Sequence, residues 1–364
     1  MNRVKMMAAT LAAVGTLAAF APESFSQALP EWLKISGDIG ARTEYIDDGK
    51  TLDNYDRVRN RMRLRLWFDI SPADKITASI GIETSGTNPT SAWATPTDFQ
   101  KQPLYAAHAY IKYEASEHLA ISGGMLKSGV PFWKPVQLVW RNDVNPYGVS
   151  ANAGVNIRKN LDFFLNGGLF ALTEYRDNER TIDIPMNAIA VVQPGLEYNK
   201  NKLTVKGAFT VQQFSLSDHD TSASTWIRSD MSYTLLNPAW EAGYTGLIGS
   251  CGPMFAGEYS KNINENADDG TQAYMIQAGF GNEKIDRFKS WQVKAAYRRR
   301  ERYAIPYGFG QTSAYDAEPG KGWEYTAAFG LMKNLAFNAT IYNMTDLDGE
   351  LPQKVSQFDV VFKF

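Results

Sequence analysis

The chain of 364 residues has one cysteine, Cys251, only three histidines, and no uncharged apolar run of 18 residues. A lone cysteine excludes an intramolecular disulfide, so an exported protein of this length must draw its stability from elsewhere. With no such apolar run and a negative mean hydropathy, the chain is not a helical membrane protein, and any membrane must be crossed by strands. The few histidines leave little for nucleophilic or metal chemistry. His108 falls on a predicted strand, His118 in a predicted tight turn, and His219 in a loop between Asp218 and Asp220. Each reads as a solvated polar residue. Asp218-His219-Asp220 is an ordinary loop sequence, and NADDG at 266–270 lacks the ligand spacing of a calcium loop. No glycine-rich phosphate loop opens a helix, and no Cys/His spacing suits zinc. We therefore expect no catalytic residue, no cofactor and no metal. The formal charge is only −2, which gives nucleic acid no electrostatic foothold.

Both ends of the chain carry signals. Arg3 and Lys5 precede an apolar run from Met6 to Ala21 and small residues at Ser24, Ser26 and Ala28, the pattern of a secretory signal peptide. We expect residues 1–26 to be removed, with cleavage as late as 28, which leaves a mature charge of −3 because Arg3, Lys5 and Glu23 are lost. At the other end, Phe358, Val360, Phe362 and Phe364 alternate with Gln357, Asp359, Val361 and Lys363, as on a strand with one apolar face. A soluble edge strand could show the same alternation. The 18 Tyr, 19 Phe and 9 Trp would furnish aromatic girdles at two membrane interfaces, or the core of a large sandwich.

Period-two segments recur through the mature chain. The predicted strands are 32–46, 55–70, 75–86, 102–114, 119–128, 148–157, 161–174, 187–198, 203–213, 231–247, 253–263, 272–282, 288–303, 322–332, 335–344 and 354–364. Connections after even-numbered strands are tight: SPAD at 71–74, ASEH at 115–118, RKN at 158–160, NKNK at 199–202 and KN at 333–334. Those after odd-numbered strands are longer and rich in Gly, Pro, Asp and Asn, as at 87–101, 129–147, 214–230 and 304–321. Sorting by parity is what hairpins with short periplasmic turns and long outer loops produce, and an even count puts both termini in the periplasm. The expected fold is an all-β transmembrane antiparallel barrel of about 16 strands over residues 27–364, with 14 or 18 as the alternatives. Pro238 interrupts the tenth strand and should sit at a bulge or the rim. A barrel of this size is too wide for side chains to fill, so its lumen should hold water.

Charge is patterned on two strands. In YDRVRNRMRLRLWFDI, Arg57, Arg59, Arg61, Arg63 and Arg65 share one face, opposite Val58, Met62, Leu64, Leu66 and Phe68. An arginine on the lipid face near mid-membrane costs about 2–4 kcal/mol, so this face must be the inner one. In SWQVKAAYRRRERY, Lys294, Arg298, Arg300 and Arg302 share a face in the same way. Two functions fit these ladders. They could be a solvated wall, paired with Asp38, Glu44 and Glu83, that stiffens the barrel; or guanidiniums in excess of carboxylates could concentrate anions.

The connection GVPFWKPVQLVWRNDVNPYG is the most apolar of the outer loops, with Phe132, Trp133, Val136, Leu138, Val139 and Trp140. Such residues suit a loop folded into the barrel, or an external cover or subunit contact. With ISGDIGARTEY, DRVRNRMRLRL, AYIKYEASEHLAISGGMLKSGVPFWKP and VWRNDVNPYGV, the mature chain resembles the family of putative porins of bacterial outer membranes, close in architecture to general and phosphate-selective porins. The resemblance implies passive diffusion of small polar or anionic solutes. It also implies contact with outer-membrane lipid, a homotrimer, and recognition of Phe364 by the barrel-assembly machinery. It places the third outer loop in the lumen with Lys134, Arg141 and Asp143 at a constriction. The family tends to carry an acid at Arg141 and an acid-Ala pair near Tyr303-Ala304, so this chain departs from the pattern at both places. A plug-bearing active transporter does not fit, because the first strand starts almost at the cleavage site. A fatty-acid transporter would want an apolar lumen. A structural or adhesive barrel without an open channel, or a solute-specific barrel transporter, stays the alternative.

Overall fold

A computed structural model describes residues 29–48, 57–84, 91–172, 188–215, 233–264, 270–306, 309 and 319–364. The leader expected at 1–26, His219 and residues 266–269 of NADDG lie outside the described residues.

Alternating sequence becomes strands because residues i and i+2 meet one environment, lipid or lumen. The strands are β1 (Leu33–Asp48), β2 (Arg57–Ala73), β3 (Ile76–Thr84), β4 (Leu104–Ser116), β5 (Leu119–Met125), β6 (Tyr147–Arg158), β7 (Leu161–Ala171) and β8 (Ala188–Lys200). They continue as β9 (Leu203–Ser215), β10 (Tyr233–Tyr244), β11 (Cys251–Asn262), β12 (Gln272–Asn282), β13 (Trp291–Arg300), β14 (Gly320–Met332), β15 (Leu335–Thr345) and β16 (Gln353–Lys363). Each pairs antiparallel with its sequence neighbours, and β16 pairs with β1 to close a sixteen-stranded barrel. Closure leaves no unpaired sheet edge in lipid. The terminal residue seals the seam: Gly37 N donates to Phe364 O at 3.0 Å, and Phe364 N to Gly37 O at 3.1 Å.

The tight turns carry the expected chemistry. Asn160, Asn201 and Asn334 have φ of 68°, 55° and 63°, the left-handed region that asparagine tolerates. Register shifts beside the turns, at Asn156/Arg158 and Gly330/Met332, are the bulges such turns bring.

Pro238 lies neither at a bulge nor at the rim, which corrects the expectation. It sits mid-strand, opposite Phe209 in an unbroken register with β9. On its other side the side-chain amide of Asn237 donates to Tyr259 O at 2.5 Å. That supplies the carbonyl with a donor next to the position where proline has no N–H. The predicted strand 288–303 is also shortened to Trp291–Arg300, and Arg302 lies in the turn that follows.

Outward positions are apolar and exposed, among them Ile39, Ile111, Val149, Leu169, Trp240, Phe255, Ile276, Trp323, Tyr325 and Phe362. Aromatic residues gather on β10–β14, where Trp323 stacks on Tyr325 at 6.0 Å and meets Tyr297 edge-on at 5.2 Å. These amphipathic rings suit the lipid–water boundary.

Candidate functional site: a basic wall and inward-folded loops

The inner faces of β1 and β2 are matched by register, with Asp38 opposite Arg65 and Glu44 opposite Arg59. Asp38 accepts from Arg63 Nε at 2.8 Å and from Arg65 at 2.5 Å. Glu44 takes Arg59 in a short bond and has Arg61 at 4.0 Å; it also accepts from Gln357 at 2.7 Å. Across the closing seam Arg42 makes a bidentate pair with Asp359, at 2.7 and 2.8 Å, the strongest geometry a guanidinium offers. Asp38 and Glu44 therefore each serve two guanidiniums. Arg57, at the outer end of β2, is exposed. Glu83 is opposite Arg65 on β3, and among the described residues no ion pair joins the two within 4.0 Å.

The second ladder is smaller than expected. Lys294, Arg298 and Arg300 alternate inward on β13, and Arg298 lies 3.5 Å from Glu324 of β14. Arg300 donates to Ile305 O at 3.2 Å. Arg302 is exposed in the turn, 5.5 Å over the Tyr303 ring, and is not on the ladder. The strand ends at Arg300 because the chain then folds inward.

The opposite inner wall, β7–β12, carries an apolar cluster set among buried polar side chains. Phe170, Ile189, Val191, Phe214, Tyr233, Leu235, Ala256 and Met275 point inward and are fully buried. What covers them is the third loop (126–146), through Phe132, Val136, Leu138, Val139 and Trp140. Polar groups among these strands pin its backbone. Gln193 of β8 both accepts from Trp133 N and donates to Trp133 O at 2.8 Å. Gln212 accepts from the Trp140 indole at 2.7 Å, and Glu258 from Leu138 N at 3.3 Å. Each bond answers a loop dipole that would otherwise be buried unpaired.

Lys134, Arg141 and Asp143 have different surroundings. Lys134 folds back to donate to Ser128 Oγ at 2.9 Å and Trp140 O at 2.8 Å, a staple inside the loop. Burial lowers its ammonium to about 8, against the opposing charges of Glu258 and Asp143. Arg141 is buried, and its backbone N donates to Phe309 O at 2.8 Å. Asp143 lies in the field of Arg65, Arg141, Arg63 and Lys134, and burial nevertheless pushes its carboxyl up. Of the three, it faces the β2 ladder.

Two further elements escape the sequence reading. A segment of the second loop (85–103) lies along β2 beyond the end of β3, with Met62 and Ala94 exchanging backbone bonds at 2.9 Å. It inserts Trp93 between guanidiniums: Arg42 lies 4.1 Å and Arg63 4.6 Å from the ring centroid. Arg61 donates to Trp93 O. Gly40 makes room for the indole, since a Cβ there would stand 2.9 Å from it. The other element is the start of the seventh loop, where Ala304, Ile305 and Phe309 join the apolar cluster under the third loop. The signal for both was present as Ala92-Trp93-Ala94 and Ala304-Ile305-Pro306, apolar triplets in loops that a water-facing surface would not favour.

His108 is not solvated, as expected from sequence, but buried at 1% exposure. Gly81 leaves space for its ring. Ser79 donates to Asp69 at 2.7 Å and stands 3.3 Å from His108 Nε2. A nucleophile triad needs the imidazole between serine and acid; here the serine is in the middle, its hydroxyl donating to the carboxylate. His118 is exposed beside Glu117 at 3.3 Å. No group of three His, Cys, Asp or Glu could hold a metal among the described residues.

The chain matches the sequence profile of the family described as "Putative porin" over residues 41–235 and 254–364. No curated protein matches. Among solved structures it is similar to OprB of Pseudomonas putida, at 12% identity and a TM-score of 0.61, covering 91% of this chain and 94% of that one. It is also similar to the outer membrane channel DcaP of Acinetobacter baumannii, at 11% identity and a TM-score of 0.53, covering 91% and 97%. OmpT of Vibrio cholerae, in a form lacking its loop L8, gives 11% identity, a TM-score of 0.51, and coverage of 91% and 99%. At these identities the likeness is one of fold.

Proposed function

This chain belongs to the putative porin family of bacterial outer-membrane barrels, and we propose that it is a passive pore for small polar solutes and ions with a preference for anions. The observation that carries the proposal is the stoichiometry of the basic wall: Arg59, Arg61, Arg63 and Arg65 share two carboxylates, Asp38 and Glu44. The wall keeps a positive excess, and rings of arginine are one way a pore selects by charge. The apolar half of the lumen is filled by the third loop, so the water path runs along β13–β16 and β1–β4, with Asp143 as the third loop's acidic group in the field of Arg63 and Arg65. Lys134 and Arg141 act by fixing the loop. Residues 1–26 serve as the leader, Phe364 is the handle for barrel assembly, and the mature barrel works as a homotrimer in outer-membrane lipid.

Bilayer conductance under a salt gradient tests the preference. Anion-selective reversal at neutral pH is expected, and cation selectivity would sink it. Liposome swelling with sugars of graded size separates the pore from a structural barrel. The pore admits small sugars, whereas a closed barrel admits none.

A further inference from the structure

The third loop does not hold its position alone. Trp140, at its centre, meets Phe309 of the seventh loop edge-on at 4.8 Å, and Phe309 meets Phe214 of the β9 wall at 5.7 Å. Phe309 thus wedges between loop and barrel. The seventh loop is itself fastened to that barrel by bonds to its backbone. Ser260 donates to Ala304 O at 3.3 Å, Asn262 to Tyr303 O at 3.1 Å, and Arg300 to Ile305 O at 3.2 Å. Tyr303 N donates to Gly270 O at 2.8 Å. Ala304 and Ile305 have no exposed surface at all, which is the packing of a core and not of a surface connection. Finally, Arg141 N donates to Phe309 O at 2.8 Å and joins the two loops backbone to backbone.

We propose that the start of the seventh loop, residues 303–306 with Phe309, is the second half of the constriction: Ile305 and Phe309 are positioning residues that hold the third loop against the apolar wall and so set the width of the path on the basic side. The inference rests on the pore reading above. Gln193 and Glu258 of the wall hold the backbone of the third loop and Gln212 holds the Trp140 indole, and Trp140 has Phe309 packed against it edge-on. Removing that ring leaves a void beside Trp140 and frees one end of the loop.

The test compares full-length variants exported and purified as folded barrels, with folding judged by heat-modifiable gel migration. Phe309→Ala should lose the wild-type conductance level, replacing it with a larger, noisier one, and should lose the wild-type size cut-off in liposome swelling. Phe309→Leu, which keeps an apolar filler, should restore both. A second arm replaces the lost ring by a covalent link between the two loops. In a Cys251→Ser background, the double variant Arg141→Cys/Phe309→Cys places two cysteines where the backbones are already hydrogen-bonded, within disulfide reach. Oxidation should cross-link them in the membrane and hold the wild-type conductance, and reduction should raise it. Wild-type-like conductance and cut-off in folded Phe309→Ala would overturn the inference while leaving the pore intact. So would failure of the two cysteines to cross-link. A wild-type protein that conducts nothing would overturn the pore reading itself, whatever the cross-linking shows.

Discussion

On β1 and β2 the inward positions carry Asp38, Arg42, Glu44, Arg59, Arg61, Arg63 and Arg65; across the lumen, β7–β12 present Phe170, Ile189, Val191, Phe214, Leu235 and Met275. Both walls come from the same alternating pattern, and both have a loop laid against them. The loops match their walls. The third loop brings Phe132, Leu138 and Trp140 to the apolar side, where burial is favourable by about 1.5–3 kcal/mol for each large side chain. The second loop brings one indole to the charged side, where Trp93 is held by guanidinium faces, an attraction of about 0.5–2 kcal/mol. One wall is closed by a packed core; the other stays polar. The contrast teaches that inward alternation alone does not make a channel lining. Which inward residues line it depends on which the loops cover.

The comparison breaks most readily on the apolar side. Trp140→Ala should cost the loop core about 3–5 kcal/mol, as buried aromatic truncations do. Thermal melting followed by tryptophan fluorescence should show the third loop loosening before the barrel unfolds. A single cooperative transition at the wild-type temperature would show that the loop is not packed as described.

On the basic side, Asp38→Asn removes the carboxylate shared by Arg63 and Arg65. A unit charge about 4 Å from a passing ion is worth about 1 kcal/mol in water, about a five-fold change for each ion, in opposite directions for anion and cation. The reversal potential should move toward stronger anion preference. Movement toward cations would mean that these arginines do not face the path.

Lys134 sharpens the boundary between the walls. Its ammonium, lowered to about 8 by burial, is charged at pH 7 and neutral by pH 9, so anion preference should decline over that interval and Lys134→Met should flatten the profile. The sign for stability is the opposite of a salt-bridged lysine. Between about 8 and the ordinary value of 10.5 the unfolded chain binds the extra proton, so loop docking strengthens as pH rises. A profile in Lys134→Met that still declines would assign the titration elsewhere.

The smallest effect is expected at Gly40. Its Cβ would meet the far end of the Trp93 indole at 2.9 Å, a contact relieved by a shift of a few tenths of an ångström. Gly40→Ala should alter the tryptophan emission while leaving selectivity near wild type.

Much of this was legible because barrel sequence obeys local rules. Parity of loop length marked the hairpins, and an arginine at every second position of β2 could face only water. The terminal Phe364 marked the closing strand. Four features escaped for physical reasons. His108 is buried because Gly81, on a neighbouring strand, yields space for its ring, a cross-strand relation that no local window contains. Pro238 is tolerated mid-strand because its neighbour Asn237 donates across to Tyr259, which depends on register. The inward folds at Trp93 and Ile305 were missed because their apolar stretches are short, whereas the third loop announces itself with six large apolar residues in nine positions, 132–140. Arg302 was placed on the ladder by periodicity alone, and the turn at 302–303 ends that periodicity.

The measurement that reaches the central claim most directly is the zero-current potential of single channels in a potassium chloride gradient, for wild type and for the double variant Arg61→Ala/Arg63→Ala. The account predicts anion preference in the wild type and a shift toward zero or cation preference in the variant. A cation-preferring wild type, or a variant indistinguishable from it, would contradict the basic wall as the lining of the path.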